Sequence, residues 1–257
     1  MCGIVGYIGG QQVAPLLIQG LKRLEYRGYD SAGIAVVRNG TIQIRKEAGK
    51  IVELEQRVAE EPAEGFYGIG HTRWATHGAP NQKNAHPHAS ESGDFALVHN
   101  GIIENANTLR KFLKERGHAF SSETDTETLV HLIEEIYHSG EGRAQESLER
   151  AVEAALSQVE GTYGIAVVST HDPEKIVVAR LGSPLLIGVG ENGDTFVASD
   201  ASAVIAHTRD VIYLDDGDMA TITREGYIIH RPTQGPVDRP VSRVDWDLAE
   251  VERGGYD

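Results

Sequence analysis

Short apolar runs gather at the two ends of this 257-residue chain, and segments with helical periodicity are grouped between them. That distribution predicts an α+β layered domain with largely antiparallel sheets, because a doubly wound parallel sheet needs helices alternating with strands. Gly3–Ile8 reads as a buried strand, after which Val13, Leu16, Leu17, Leu21 and Leu24 recur at helical spacing. Gly33–Val37 and Thr41–Ile44 flank Asn39-Gly40, a pair suited to the two positive φ angles of a type I′ turn, so this stretch predicts a hairpin. A helix is expected over Ile51–Glu60, then strands over Gly68–Thr72 and Phe95–Val98, the second ending at His99-Asn100-Gly101. The polar stretch Ala75–Asp94 between them has the length of a functional lid or of a disordered linker, and as a lid it would cover a substrate.

Three helices are predicted next, over Ala106–Arg116, Thr126–His138 and Ala144–Gln158, with Thr124 and Glu127 at capping-box spacing before the second. On that helix Leu129, Leu132, Ile133 and Ile136 form an apolar face, which leaves His131, Glu134, Glu135 and His138 for the solvated one. Further strands are expected over Tyr163–Ser169, Lys175–Ala179, Leu185–Val189, Thr195–Ala198, Val211–Leu214 and Met219–Thr223, separated by turns such as Asp216-Gly217 and Glu225-Gly226. Beyond His230 the chain turns polar, with Pro232, Pro236 and Pro240. Residues 1–231 are therefore expected to form one domain, and 232–257 a linker toward another.

With 38 acidic against 24 basic residues, the net charge of −14 argues against nucleic acid or an anionic membrane as a partner. A single cysteine makes no internal disulfide, no secretory leader is evident, and no apolar run reaches the roughly 18 residues of a membrane span, so a cytoplasmic protein is expected.

That cysteine is Cys2, directly behind Met1. Once the initiator methionine is removed, thiol and α-amine share one residue, and an amine with a pKa of roughly 7.7–8.0 suits a base for the thiol. The alternative is a small buried hydrophobe. Asn100 and Gly101 offer a side-chain amide and a backbone N–H to a developing oxyanion, or simply a turn. Arg73 has the planar fork that captures a carboxylate, and Asp125, near a helix start, could accept from an ammonium; together they would hold the head of an amino acid. Singly, each suits a surface ion pair or a helix-end charge. His71, His77, His86, His88 and His99 raise a metal, but their spacing matches no metal signature such as H-E-x-x-H.

Cys2-Gly-Ile-Val-Gly6, Arg27-Gly-Tyr-Asp-Ser-Ala-Gly33, His71-Thr-Arg-Trp-Ala-Thr-His-Gly78, Asn84-Ala-His-Pro-His88, His99-Asn-Gly-Ile-Ile-Glu-Asn105 and Ser122-Glu-Thr-Asp-Thr-Glu127 together resemble one family. It is the glutaminase domain of the glucosamine-6-phosphate synthases, among the class II glutamine amidotransferases. Tyr29 and the stretch Trp74 to His77 favour it over the related purine-pathway phosphoribosyl amidotransferase. The resemblance implies a four-layer αββα N-terminal-nucleophile sandwich that hydrolyses L-glutamine through a Cys2 thioester. It implies Cys2 as nucleophile and its α-amine as base, so that a retained Met1 would remove the base. Asn100 and Gly101 become the oxyanion hole, Arg73 and Asp125 the ligands of the glutamine α-carboxylate and α-amine, Thr76 and His77 the substrate loop, and Trp74 a gate for ammonia. No cofactor and no metal are implied. The implied partner is a C-terminal sugar isomerase domain of a longer, homo-oligomeric enzyme, which passes the ammonia to fructose 6-phosphate in amino-sugar and cell-wall precursor synthesis. The rival readings are the glutaminase domain of another class II amidotransferase and a catalytically silent glutamine-binding module.

Overall fold

The computed structural model describes residues 2–74, 79–139 and 147–245. The chain opens with strand β1 (Gly3–Ile8), helix α1 (Val13–Leu24), strands β2 (Ser31–Arg38) and β3 (Thr41–Ala48), helix α2 (Ile51–Glu60) and strand β4 (Tyr67–Arg73). A short β5 (His88–Ala89) and a long β6 (Phe95–Ile103) lead into helices α3 (Ala106–Glu115), α4 (Asp125–Ser139) and α5 (Leu148–Leu156). Then follow β7 (Gly161–Ser169), β8 (Lys175–Leu181), β9 (Leu186–Val189), β10 (Thr195–Ala198), β11 (Asp210–Tyr213), β12 (Met219–Thr223), β13 (Gly226–Arg231), β14 (Gly235–Pro236) and β15 (Ser242–Arg243).

These strands build two sheets, ordered β15-β11-β9-β10-β1-β4-β2-β3 and β14-β13-β12-β8-β7-β6-β5, and every neighbouring pair is antiparallel. Strand alternation explains the layering. Val5 and Tyr7 of β1 point to a core shared with α1 and α2, whereas Ile4 and Ile8 point to a core between the sheets. In the second sheet Ala96 and Val98 of β6 join that central core, while Phe95 and Leu97 meet α3, α4 and α5. The result is the expected αββα stack, with both faces of each sheet covered. Among the described residues no helix is long and apolar enough to cross a membrane.

The β2–β3 hairpin turns at Asn39 (φ 51°) and Gly40 (φ 71°), as the dipeptide required. Four expectations change. Strand β6 does not end at His99-Asn100-Gly101: it runs on to Ile103, paired with β7 as far as Gly161. Gly101 makes this possible, because its φ is 133° and a Cβ there would sit 2.1 Å from the Thr162 carbonyl oxygen. The capping box is half made: Thr124 Oγ1 accepts from the Glu127 N–H at 3.3 Å, but the Glu127 carboxylate accepts from Ser121 and Ser122 instead of returning to Thr124. His131 and Glu134 are buried, not solvated, because the β5–β6 loop covers that side of α4 and donates the Glu91 and Ser92 N–H groups to Glu134. Within the polar loop, residues 75–78 lie outside the described ones, and Asn84, His86 and His88 are buried. Asn84 accepts from the Glu123 N–H at 3.0 Å and donates to the Ala79 carbonyl at 3.1 Å, so this half of the loop is an internal strut.

The polar tail also packs as far as residue 245: β14 pairs with β13, β15 pairs with β11, and Val244 enters the core under α1. Its anchor is Asp218, a fully buried carboxylate that accepts from Arg231 Nε at 2.8 Å and from Arg239 Nε and Nη2 at 2.7 and 2.8 Å. Burial alone would push this carboxyl up; the hydrogen bonds from Arg239 and Arg231 outweigh it and hold it below the ordinary range. Asp218→Ala leaves two guanidinium groups without their shared acceptor and is expected to cost about 3 kcal/mol in urea unfolding, with new proteolytic cuts between residues 232 and 245. Unchanged stability and an uncut tail would show that the tail is held by its strands alone.

Candidate active site

The cleft forms where the two sheets meet at their ends. Gly3 of β1 pairs with Thr72 of β4, so Cys2 leaves the first sheet beside Arg73 and Trp74. The Trp74 backbone N–H donates to Cys2 Sγ at 3.3 Å. From the second sheet, Asn100 of β6 reaches across and its Nδ2 donates to the Cys2 carbonyl at 3.4 Å. His71 of β4 fixes that amide: its Nε2 lies 3.0 Å from Asn100 Oδ1 and 3.1 Å from the His99 carbonyl. Both partners are acceptors, so His71 carries its proton on Nε2. Burial pushes this imidazole down to about 3, which keeps it neutral.

Cys2, Arg73, Trp74, Gly101 and Asp125 line one cleft, together with His86, His99, Thr124 and Thr126. Asn100 joins it through the bond to Cys2. Thr76 and His77, the remaining candidates, lie outside the described residues. Arg73 is buried, 3.6 Å from the Asp30 carboxylate and 3.4 Å from the Ala79 carbonyl oxygen. Asp125 is the first residue of α4, where its charge meets the positive end of the helix, and its Oδ2 accepts from the Ile103 N–H at 2.9 Å. Trp74 lies over Gly28: with φ at 90°, a Cβ on residue 28 would come within 2.3 Å of the indole ring. Burial pushes the Cys2 thiol up, and the Trp74 N–H and the Arg73 charge only partly oppose it. The thiol is therefore protonated at neutral pH and needs a base to become a nucleophile.

Beneath the cleft lies a layer of four buried histidines. His71 stacks on His86 at 4.2 Å between ring centroids, and His88 meets His86 edge-on at 4.8 Å. Thr126 Oγ1 bridges His86 Nε2 at 2.8 Å and His99 Nδ1 at 3.2 Å, while Thr124 Oγ1 holds His88 Nε2 at 3.0 Å. The nitrogens that are hydrogen-bonded pair with hydroxyl, carbonyl and amide oxygens, not around a common point, while His71 Nδ1 and His86 Nδ1 are buried without a partner. In the sequence all four rings, with His77, suggest only metal ligands, and Thr126 has no evident role. What the sequence lacks is the neighbourhood of β4, β6 and the start of α4.

A family model of the glutamine amidotransferase domain matches residues 56–235, and the chain belongs to that family. Over its whole length it is 50% identical to the glutamine–fructose-6-phosphate aminotransferase (isomerizing) of Chlorobaculum tepidum and 46% identical to that of Thermococcus kodakarensis, covering 42% of each. The chain thus spans about two fifths of the length of these relatives and corresponds to their N-terminal region. Among solved structures, the glutamine PRPP amidotransferase of B. subtilis superposes with a TM-score of 0.75 at 28% identity, covering 91% of this chain and 50% of that one. This likeness agrees with the two-sheet sandwich.

The histidine layer makes stability depend on pH. Burial depresses all four pKa values, those of His71 and His88 to about 3, from an ordinary 6.5. The unfolded chain therefore binds protons that the folded one refuses. The stabilising effect is complete above about pH 6.5 and is lost as pH falls toward the folded values, by up to about 1.4 kcal/mol per pH unit for each ring. Urea midpoints taken between about pH 7 and about pH 5 should fall, and less steeply in His88→Gln, which removes one of the groups. Equal slopes in the two proteins would clear the layer of this role.

Proposed function

We propose that this chain is a glutaminase domain that releases ammonia from L-glutamine by acyl transfer through Cys2. The observation that carries the reading is the meeting of Cys2, Asn100, Arg73 and Asp125, drawn from both sheets and α4, at one cleft. With Met1 removed, the α-amine of Cys2 takes the thiol proton. The thiolate attacks the side-chain carbonyl carbon, and a C–S bond forms as the carbonyl π pair moves onto oxygen. The Asn100 amide and the Gly101 N–H stabilise that oxyanion. The ammonium formed from the amine returns its proton to the departing nitrogen, ammonia leaves, and water cleaves the thioester to glutamate. Arg73 takes the substrate α-carboxylate and Asp125 its α-amine, supported by the burial of Arg73 and the placement of Asp125 at the mouth of α4. His71 serves as a positioning residue, since its Nε2–H holds the amide oxygen and so turns Asn100 Nδ2 toward Cys2.

Thr76 and His77 complete the substrate loop in this reading, and Trp74 gates the ammonia. In the full-length protein the domain, with its tail packed as far as residue 245 and the chain leading onward from there, delivers ammonia to a C-terminal sugar isomerase domain that converts fructose 6-phosphate to glucosamine 6-phosphate. The whole enzyme is a cytoplasmic homo-oligomer serving amino-sugar synthesis, and its partners are small molecules, not nucleic acid or membrane. The supports are the 50% identity to a protein named for that reaction and the acidic surface charge. In this reading glutamine hydrolysis itself needs no metal or cofactor.

Glutamate release from L-glutamine, measured on protein whose intact mass lacks Met1, tests the reaction. Cys2→Ala should bind glutamine and release no glutamate, and a fraction retaining Met1 should be equally silent. Asn100→Ala is expected to lower kcat by about 100- to 1,000-fold with KM little changed, and Arg73→Ala to act mainly on KM. Turnover in Cys2→Ala would refute the mechanism. Saturable binding without glutamate release from correctly processed wild-type protein would make the chain a binding module.

A further inference from the structure

We propose that His118, His131 and Glu91, with Glu134 as fourth donor, form a site for a divalent first-row cation that accepts tetrahedral nitrogen and oxygen ligands, Zn²⁺ foremost. The site shares no residue with the cleft. It joins three segments: the β5–β6 loop through Glu91, the α3–α4 loop through His118, and α4 through His131 and Glu134.

The argument starts from the protons. His118 Nε2 lies 3.2 Å from Glu135 Oε2, and His131 Nε2 faces Glu127 Oε1 at 3.9 Å. A carboxylate only accepts, so His118 carries its proton on Nε2 and turns the lone pair of Nδ1 outward. The Nδ1 atoms of His118 and His131 face each other at 3.1 Å, with the rings at 84°. The His118 nitrogen is a bare acceptor, so the gap holds either a proton carried by His131 Nδ1 or a cation bound by both nitrogens.

The surroundings suit a metal ion. Glu91 Oε2 is 3.6 Å from His118 Nδ1, and Glu134 Oε2 is 3.7 and 3.8 Å from the Nδ1 atoms of His118 and His131. Ligands held at 2.0–2.1 Å by a tetrahedral zinc ion stand about 3.4 Å apart, close to these separations. The donor atoms of Glu91, His118 and His131 all lie within 4.8 Å of one another. Two neutral imidazoles and two carboxylates balance a divalent charge, and imidazole is a preferred ligand of zinc among the first-row ions. The outer contacts have the form that orients metal ligands: Glu135 and Glu127 behind the histidines, the Glu91 and Ser92 N–H groups on Glu134, and Ser121 and Ser122 on Glu127. Glu134 is buried, and the Glu91 and Ser92 N–H groups hold its carboxylate beside the two Nδ1 atoms.

A bound ion would clamp two loops onto the helix whose first residue is Asp125. The remaining possibility, a single shared proton, binds no metal and separates cleanly in the test. The test uses EDTA-treated chain carrying Cys2→Ser, so that the N-terminal thiol does not compete, titrated with Zn²⁺ by calorimetry and followed by thermal unfolding. One saturable Zn²⁺ per chain is expected, with a rise in Tm that EDTA reverses. His118→Gln and His131→Gln should abolish that binding, and Glu91→Gln, at an exposed position where folding is not at stake, should weaken it by about tenfold or more. Absence of saturable binding, or Zn²⁺ affinity unchanged in Glu91→Gln and His118→Gln, would overturn the proposal and leave the proton.

Discussion

The apolar contact between the two sheets is the constraint on which the rest of the molecule depends. Ile4 and Ile8 of β1, Val37 of β2 and Ile69 of β4 meet Ala96 and Val98 of β6 and Val178 of β8 in one continuous core. Because the opposite face of each strand is also buried, a shift in register by one residue would exchange two complete sets of packed side chains. Each strand therefore has a single workable position. The ends of β1, β4 and β6 are thereby brought together, and residues as distant as Cys2 and Asn100 come within a hydrogen bond.

Polar groups occupy the seam that this packing leaves at the cleft. Burying four imidazoles is unfavourable unless they are neutral and satisfied, and here hydroxyls and carbonyls supply most of their partners. The same desolvation raises the Cys2 thiol. A protonated thiol in this cleft suits the proposed chemistry, in which the base arrives with the free α-amine. Near the middle of α4 the polar arrangement differs, since the Nδ1 atoms of His118 and His131 face each other while carboxylates sit on both sides. Hydroxyls and carbonyls supply most partners in the first cluster; a cation or a proton fills the gap in the second.

Much of the fold was legible in the sequence because local chemistry and tertiary packing agree. The short apolar runs of β1, β7 and β12, the Asn39-Gly40 turn and the helical stripe of α1 are each demanded by the chain locally and used globally. The misreadings fall where they conflict. Asn100-Gly101 has the composition of a turn, yet pairing with β7 carries the strand through it. His131 and Glu134 have the composition of a solvated face, yet a loop from elsewhere covers them. The tail after Arg231 is rich in proline and charge, yet a buried carboxylate at Asp218 pulls Arg239 and its neighbours back onto the domain.

The sequence by itself determined the residue types of the site and the elements that bear them: a cysteine next to the start, an arginine at a strand end, an aspartate opening a helix, and an Asn-Gly pair. Periodicity and turn chemistry act over a few residues, so they are readable without a fold. Only the tertiary structure decided which of these groups meet, which histidine holds the Asn100 amide, and which charged face of α4 is hidden. Those outcomes depend on contacts between segments tens of residues apart, and the close packing of two sheets, not any local preference, sets those contacts.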